Sequence, residues 1–201
     1  SKETPQTVET LLRLGREGVR RVVDVRTPQG WRQLRAILID EQGDWIERAI
    51  RNQLRRVAGE MTQECWVFFE TLLRRSARGG SVRELAEVLE VLPSTLMSRF
   101  YRAGLPTPKR YLAVVRLIRA AYLCENSGFS VANVANHLEY SSPQSFGRHV
   151  RAMMGMTALE FRQGRDGAKM LQLFEQELVY PYREILARFR PFSGKCIGIQ
   201  K

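Results

Sequence analysis

The chain has 201 residues, 44% hydrophobic and 26% charged, which supplies apolar material for one or two small cores and excludes a disordered or fibrous protein. Lysine and arginine number 32 against 21 acidic residues, giving a formal charge of +11 and a pI near 10.2; this favours an anionic partner, most simply nucleic acid. Three cysteines, Cys65, Cys124 and Cys196, lie far apart without CxxC spacing, which argues against a zinc site or a disulfide framework and for a reducing compartment.

Arginine greatly outnumbers lysine. That suits bidentate contact to phosphate and guanine, and it equally fits a GC-rich coding bias. No run of about 18 apolar residues occurs, so no membrane span is expected. The polar start, Ser1-Lys2-Glu3, shows no signal peptide. The expected location is the cytoplasm.

Residues 1–43 read as a small α/β unit. Thr7 can cap a helix to about Gly15, with Val8, Leu11, Leu12 and Leu14 on its apolar face. Residues 19–25, VRRVVDV, are rich in β-branched side chains and read as the one strand. Thr27-Pro28-Gln29-Gly30 reads as a turn and 31–38 as a helix with Trp31, Leu34, Arg35 and Leu38 on one side. This order resembles the end of a receiver-like α/β domain, with Val25 where lysine is expected. A lone strand leaves both edges unpaired, so this unit is a candidate for homodimerisation by strands pairing across a two-fold axis.

Asp40-Glu41-Gln42-Gly43 reads as a break, and Asp44 as the cap of a connecting helix over 44–60. There Trp45, Ile46, Ala49, Ile50, Gln53, Leu54 and Val57 recur at helical spacing. Arg48, Arg51, Arg55 and Arg56 lie on its polar side, as a solvated face or as phosphate contacts. Residues 62–77 form a strongly apolar helix through Trp66, Val67, Phe69, Leu72 and Leu73, whose aromatic stripe reads as core. It ends at Arg74, Arg75 and Gly79-Gly80.

Ser81 begins a pattern that occurs twice, about fifty positions apart. In the first copy, 81–103, Ser81 and Glu84 form a capping box. Val82, Leu85, Ala86 and Leu89 make a buried face. Glu90-Val91-Leu92 turns the chain, and Pro93 opens a second helix held by Leu96 and Phe100. In the second copy, 130–154, Ser130 caps Val131, Val134, Ala135 and Leu138. Tyr140 lies in the turn, Ser142-Pro143 opens the next helix, and Phe146 and Val150 point inward. Two short helices joined by a tight turn, the second polar outside, are a helix-turn-helix. Between the copies Thr107 and Pro108 start a long helix to about Asn126, with Tyr111, Leu112, Val115, Ile118 and Leu123 on its apolar side.

Residues 61–163 resemble the DNA-binding domain of AraC/XylS-type transcription regulators. The likeness rests on residues 131–135, Tyr140-Ser141-Ser142, Gln144-Ser145-Phe146, and Gly155-Met156-Thr157 to Phe161-Arg162. Tyr111-Leu112, Arg116-Leu117 and Ala120-Ala121 of the linker helix extend it. Glu90 and Glu139 replace the family's turn glycine, and Ala158 replaces a proline. A left-handed backbone at Glu139 costs roughly 1 kcal/mol relative to glycine.

The resemblance implies a mainly α fold: two helix-turn-helix subdomains joined by a linker helix over 107–126, preceded by the α/β unit and the connecting helix. It implies a transcription regulator that inserts two recognition helices into successive major grooves of double-stranded promoter DNA. RNA polymerase is then a candidate second partner. Arg148 can bond guanine O6 and N7, worth about 1–3 kcal/mol of discrimination, and Gln144 suits adenine. Ser145 can reach a base or a phosphate. Ser94, Thr95 and Ser98 are the weaker base contacts of the first unit. Ser142, Ser130, Arg151, Arg162 and Arg99 are candidates for phosphate. His149 is within reach of the backbone, though a lone histidine usually has no special role, and His137 reads as structural. The alternative is a protein-interaction module that reuses the fold, with non-specific affinity for DNA. No P-loop, HExxH or GxSxG occurs, so neither an enzyme nor a cofactor is expected, and no sugar-binding barrel is recognised.

Residues 164–201 lie outside the resemblance. Residues 168–177 and 180–190 read as helices split near Tyr180-Pro181, and Cys196 as an exposed thiol. The tail could cap the domain, pair with the N-terminal unit or bind a partner.

Overall fold

Thr27-Pro28, Thr107-Pro108 and Ser142-Pro143 each start a helix by one device. A hydroxyl accepts the backbone N–H three residues on, and proline in the first turn gives up no bond. The computed structural model describes residues 10, 13, 23–24, 26–77, 79–125, 128–164 and 166–192, with the backbone alone for 31–44. The chain divides into two units, 1–42 and 43–201.

The strand expected at 19–25 falls mostly outside the described residues. Of residues 19–25 only Val23 and Asp24 are described; both are irregular, and no strand occurs among the described residues. Asp24 instead organises the start of helix α1 (Pro28–Ala58). Its carbonyl accepts the Thr27 N–H at 3.3 Å and the Thr27 hydroxyl at 3.1 Å, and its carboxylate holds Arg26. The expected turn at 27–30 is therefore the entry into α1. A Cβ on Gly30 would lie 1.7 Å from the Asp24 carbonyl oxygen, so only glycine admits this approach. The helix expected at 7–15 falls outside the described residues except for Thr10 and Arg13, which are helical.

Helix α1 is 31 residues long and includes 40–43, where the sequence predicts a break and an Asp44 cap. Asp40, Glu41 and Gln42 all tolerate a helix, and one interior glycine costs only about 1 kcal/mol. Within the second unit Ile46, Ile50, Leu54 and Ala58 recur every fourth residue and are buried. Each large side chain contributes about 1.5–3 kcal/mol, which outweighs Gly43. Gly59, with φ at 65°, follows the last turn.

Helix α2 (Gln63–Ser76) is capped by Thr62 and buries Cys65, Phe68, Phe69, Leu72 and Leu73. Trp66 and Val67, expected in the core, are half-buried. The true stripe runs from 65 through 68, 69, 72 and 73, and Trp66 instead receives the Arg55 guanidinium over its ring at 5.5 Å. Burial pushes the Cys65 thiol up to about 12 and the Cys124 thiol to about 11, so both remain protonated small apolar groups. Cys196 lies outside the described residues.

Helices α3 (Val82–Val88) and α4 (Pro93–Arg102) form the first copy of the repeat. Helix α5 (Pro108–Cys124) follows. Helices α6 (Val131–His137) and α7 (Pro143–Met154) form the second copy. Helix α8 (Ala158–Gly164) closes the domain. A full capping box starts α8: the Glu160 N–H donates to the Thr157 hydroxyl, while the Glu160 carboxylate accepts the Thr157 N–H at 2.7 Å. The proline expected at 158 is not needed for that start.

Helix α5 carries more than one apolar side. Val114, Leu117, Ala120, Ala121 and Arg119 are buried together with the expected Tyr111, Val115 and Ile118. The reason is the tail. Helix α9 (Gly167–Phe174) and helix α10 (Arg183–Arg188) are separated, near the predicted split, by a π-helical turn (Glu175–Val179) and a 3₁₀ turn (Tyr180–Tyr182); this segment covers α5 with Met170, Phe174 and Leu178. The Tyr111 hydroxyl donates to the Leu178 carbonyl at 2.9 Å. Glu175 bonds Gln53 and Arg56, so the polar side of α1 serves the protein there. Phe189 lies edge-on to Phe100 at 4.7 Å, and its carbonyl accepts the Thr62 hydroxyl. Of the three roles left open for the tail, it fills the first: it is part of the domain's core.

Candidate nucleic-acid interface

The two copies of the repeat share one turn. At the end of α3 the Val91 N–H donates to the Ala86 carbonyl at 3.0 Å; at the end of α6 the Tyr140 N–H donates to the Ala135 carbonyl at 2.9 Å. Both turns put a glutamate in the left-handed region, Glu90 at φ 52° and Glu139 at φ 53°. This is the conformation glycine favours. The expected geometry therefore forms without glycine.

In α7, Phe146 and Val150 are fully buried and fix the helix to the core. The Ser142 hydroxyl caps it by accepting the Ser145 N–H at 3.1 Å. Gln144, Arg148 and Arg151 follow at i, i+4 and i+7, so they share one outward face, and all three are exposed. Arg148 makes no hydrogen bond or ion pair among the described residues. Arg151 stands beside Glu160, whose carboxyl is lowered by its bonds from Thr157 and, to a smaller extent, by Arg151. Arg162 is half-buried on α8, close enough to Cys124 to favour its thiolate. Ser145 is half-buried. Ser130 caps α6 through the Asn133 N–H at 3.2 Å and also bonds the Asn133 side chain.

The first copy is built more loosely at its entry. Leu92 occupies the cap position of α4, makes no side-chain cap and is 69% exposed. Leu96 and Phe100 are fully buried beneath it. Ser94 and Ser98 are exposed, and Thr95 and Arg99 half-buried. Tyr101 is 84% exposed and falls seven residues after Ser94, on the same outward face. The periodicity that singles out Ser94 and Ser98 would have found it.

Beneath α7 lies a cluster that residue types alone do not reveal. Arg116 of α5 donates to the Leu138 carbonyl at 2.8 Å and stacks its guanidinium over the Tyr140 ring at 3.9 Å. The Tyr140 hydroxyl is 2.5 Å from His149 Nδ1. Burial lowers the His149 pKa to about 4, with Arg116 adding to it, and burial raises Tyr140 to about 12. At neutral pH Tyr140 therefore donates to an uncharged His149. Of the two readings of His149, contact with the DNA backbone is disfavoured, because its other ring nitrogen is buried. His137, read as structural, is exposed at the end of α6. The cluster locks the turn aromatic and α7 onto α5. Arg119, also on α5, is 3% exposed and joins three elements, bonding Ser76 Oγ at 2.9 Å, the Leu73 carbonyl at 2.8 Å and Glu47 at 2.6 Å.

Both copies thus rest on α5, which α3, α4, α6, α7 and α8 all contact. Residues 85–164 match a family model described as a helix-turn-helix domain. The curated relatives include the HTH-type transcriptional activator RhaS of Escherichia coli O157:H7 (strain EC4115 / EHEC), 38% identical over 61 residues, 30% of this chain and 22% of the relative. RhaS of Escherichia fergusonii is 36% identical over 62 residues, 31% of this chain and 22% of the relative. These matches support the resemblance of this region to AraC/XylS-type regulators. The chain spans about a fifth of the length of these relatives. No solved structure matches it. The helix-turn-helix match ends at residue 164, so α9, α10 and their packing on α5 lie beyond it. No helix among the described residues is long and apolar enough to cross a membrane.

Proposed function

We propose that the protein is a sequence-specific DNA-binding transcription regulator. Its recognition helices α4 and α7 enter successive major grooves of promoter DNA. The observation that carries this reading is Arg148: exposed on the outer face of α7, unengaged among the described residues, and mounted on a helix whose inner residues Phe146 and Val150 are fully buried. Such an arginine is positioned for bidentate contact with guanine, and Gln144, one turn earlier, for adenine. Ser145 serves a base or phosphate. Ser142, Arg151, Arg162 and Ser130 serve the backbone of the same duplex, with Arg162 and Ser130 limited by their contacts within the protein. In the first copy Ser94, Thr95 and Ser98 make weaker base contacts and Arg99 a phosphate contact.

Under this reading the partner is double-stranded promoter DNA, with RNA polymerase and a second copy of the chain as the proteins a promoter complex would bring to it. The alternative, an interaction module with only non-specific DNA affinity, needs free working parts; the tail, one of the two, is packed into the core. Selection of bound sites from random duplex DNA tests the proposal. An enriched motif supports it, and retention of all sequences alike favours the module.

A further inference from the structure

The end of α4 and the end of the tail meet in an open cleft of about 420 Å³, lined by Arg99, Arg102, Ala103, Phe189 and Arg190. Three arginines line it and no acidic residue does. A neighbouring recess shares Ala103, Phe189 and Arg190 and carries Glu184 on its wall. None of the three arginines is in an ion pair among the described residues. Arg99 Nη1 is buried without a hydrogen-bond partner, and a buried donor in that state costs about 1–3 kcal/mol until an acceptor arrives. Arg102 Nε donates to the Ser98 carbonyl at 3.4 Å, which sets its direction along the helix.

The position of Arg190 is fixed by its neighbours. Phe189 is buried against Phe100, its carbonyl holds the Thr62 hydroxyl, and the Phe192 N–H donates to Glu64 at 3.1 Å. The tail therefore delivers a cation to this place by construction. Arg102 follows Ser98 by one turn and Ser94 by two, so the cleft adjoins the outward face of the first recognition helix.

We propose that Arg99, Arg102 and Arg190 form a phosphate site that grips the DNA backbone beside the first recognition helix. The tail thereby adds a contact to the helix-turn-helix domain, and compensates for the weak base contacts of Ser94 and Ser98. Guanidinium forks suit phosphate oxygens. This inference rests on the DNA-binding reading above.

The test is the salt dependence of binding to a selected duplex and to an unrelated duplex, for the full chain and its Arg190→Ala and Arg190→Gln variants. Removing one phosphate contact lowers the slope of log K against log salt by about 0.9. Across a fourfold change in salt, that is about a threefold change in affinity, and it is the same for both duplexes. Arg190 is exposed, so melting temperatures should match. Slopes equal to wild type, with sequence-selective binding intact, would overturn the phosphate site while leaving the regulator reading in place. Loss of all DNA binding in the wild type would overturn both. A third arm adds sodium phosphate at constant ionic strength: thermal stabilisation that vanishes in Arg190→Ala, with DNA slopes unchanged, would assign the cleft to a free anion and overturn the DNA assignment.

Discussion

Glu90 and Glu139 occupy equivalent places in the two turns and share a left-handed backbone, with φ at 52° and 53°. An L-residue with a side chain is strained there by about 1–2 kcal/mol, and glycine is not. Replacing Glu139 by glycine should stabilise the protein by about 1 kcal/mol, or about 2–4 °C in melting temperature for a chain of this size. Thermal unfolding followed by circular dichroism measures it; a fall in melting temperature would show that the glutamate side chain contributes more than its backbone costs.

The His149–Tyr140 pair makes stability depend on pH. The folded pKa of His149 lies near 4, below the 6.5 of an unfolded histidine. Between those values the unfolded chain binds the proton more readily, so its contribution is complete above pH 6.5 and declines as pH falls toward 4. The amount is up to about 3 kcal/mol. Urea unfolding at pH 7 and pH 5 should show a smaller difference for His149→Gln than for wild type. Parallel losses in both proteins would remove His149 from the account.

Arg119 is nearly fully buried with Glu47 and Ser76. Arg119→Met should destabilise by about 3 kcal/mol, because it leaves the Glu47 carboxylate without its arginine and takes one of two donors from the Leu73 carbonyl, which keeps the Ser76 hydroxyl. Denaturant melts of the single mutant and of Arg119→Met with Glu47→Leu would show the second change recovering part of the loss. No recovery would mean the pair is not coupled.

Gly167 lets the tail approach α5. A Cβ there would lie 2.2 Å from the Tyr122 ring, so Gly167→Ala must displace that ring and should cost about 1–3 kcal/mol. Tyr122→Ala in the same background should relieve the clash, which a double-mutant cycle reads directly. Additive losses would place the strain elsewhere.

The repeat was legible because its residues obey two local rules at once. Leu85, Ala86, Leu96 and Phe100 in one copy, and Val134, Ala135, Phe146 and Val150 in the other, keep helical spacing and are buried, and serine or proline marks the starts. The misreadings occurred where a local signal has two meanings. Thr27-Pro28 is both a turn and a helix start, and Asp24, three residues before, decided between them. Gly43 looks like a stop, yet the face continued by Ile46, Ile50 and Leu54 outweighs it. The burial of Arg119 and the tail's place on α5 depend on contacts across 40 to 130 residues, which no periodicity records. Of the site, Gln144 and Arg148 could be read from the face they occupy. Tyr101 was missed, and Arg190 could not be seen without the fold.

The account stands most directly on Arg148. Selection from random duplex DNA, run in parallel on the wild type and Arg148→Ala, measures its role. The account predicts an enriched motif with a guanine at its strongest position, and a loss of preference at that position alone in the variant, worth about 1–3 kcal/mol. An identical motif from both proteins, or no motif from either with binding that merely fades as salt rises, would contradict it.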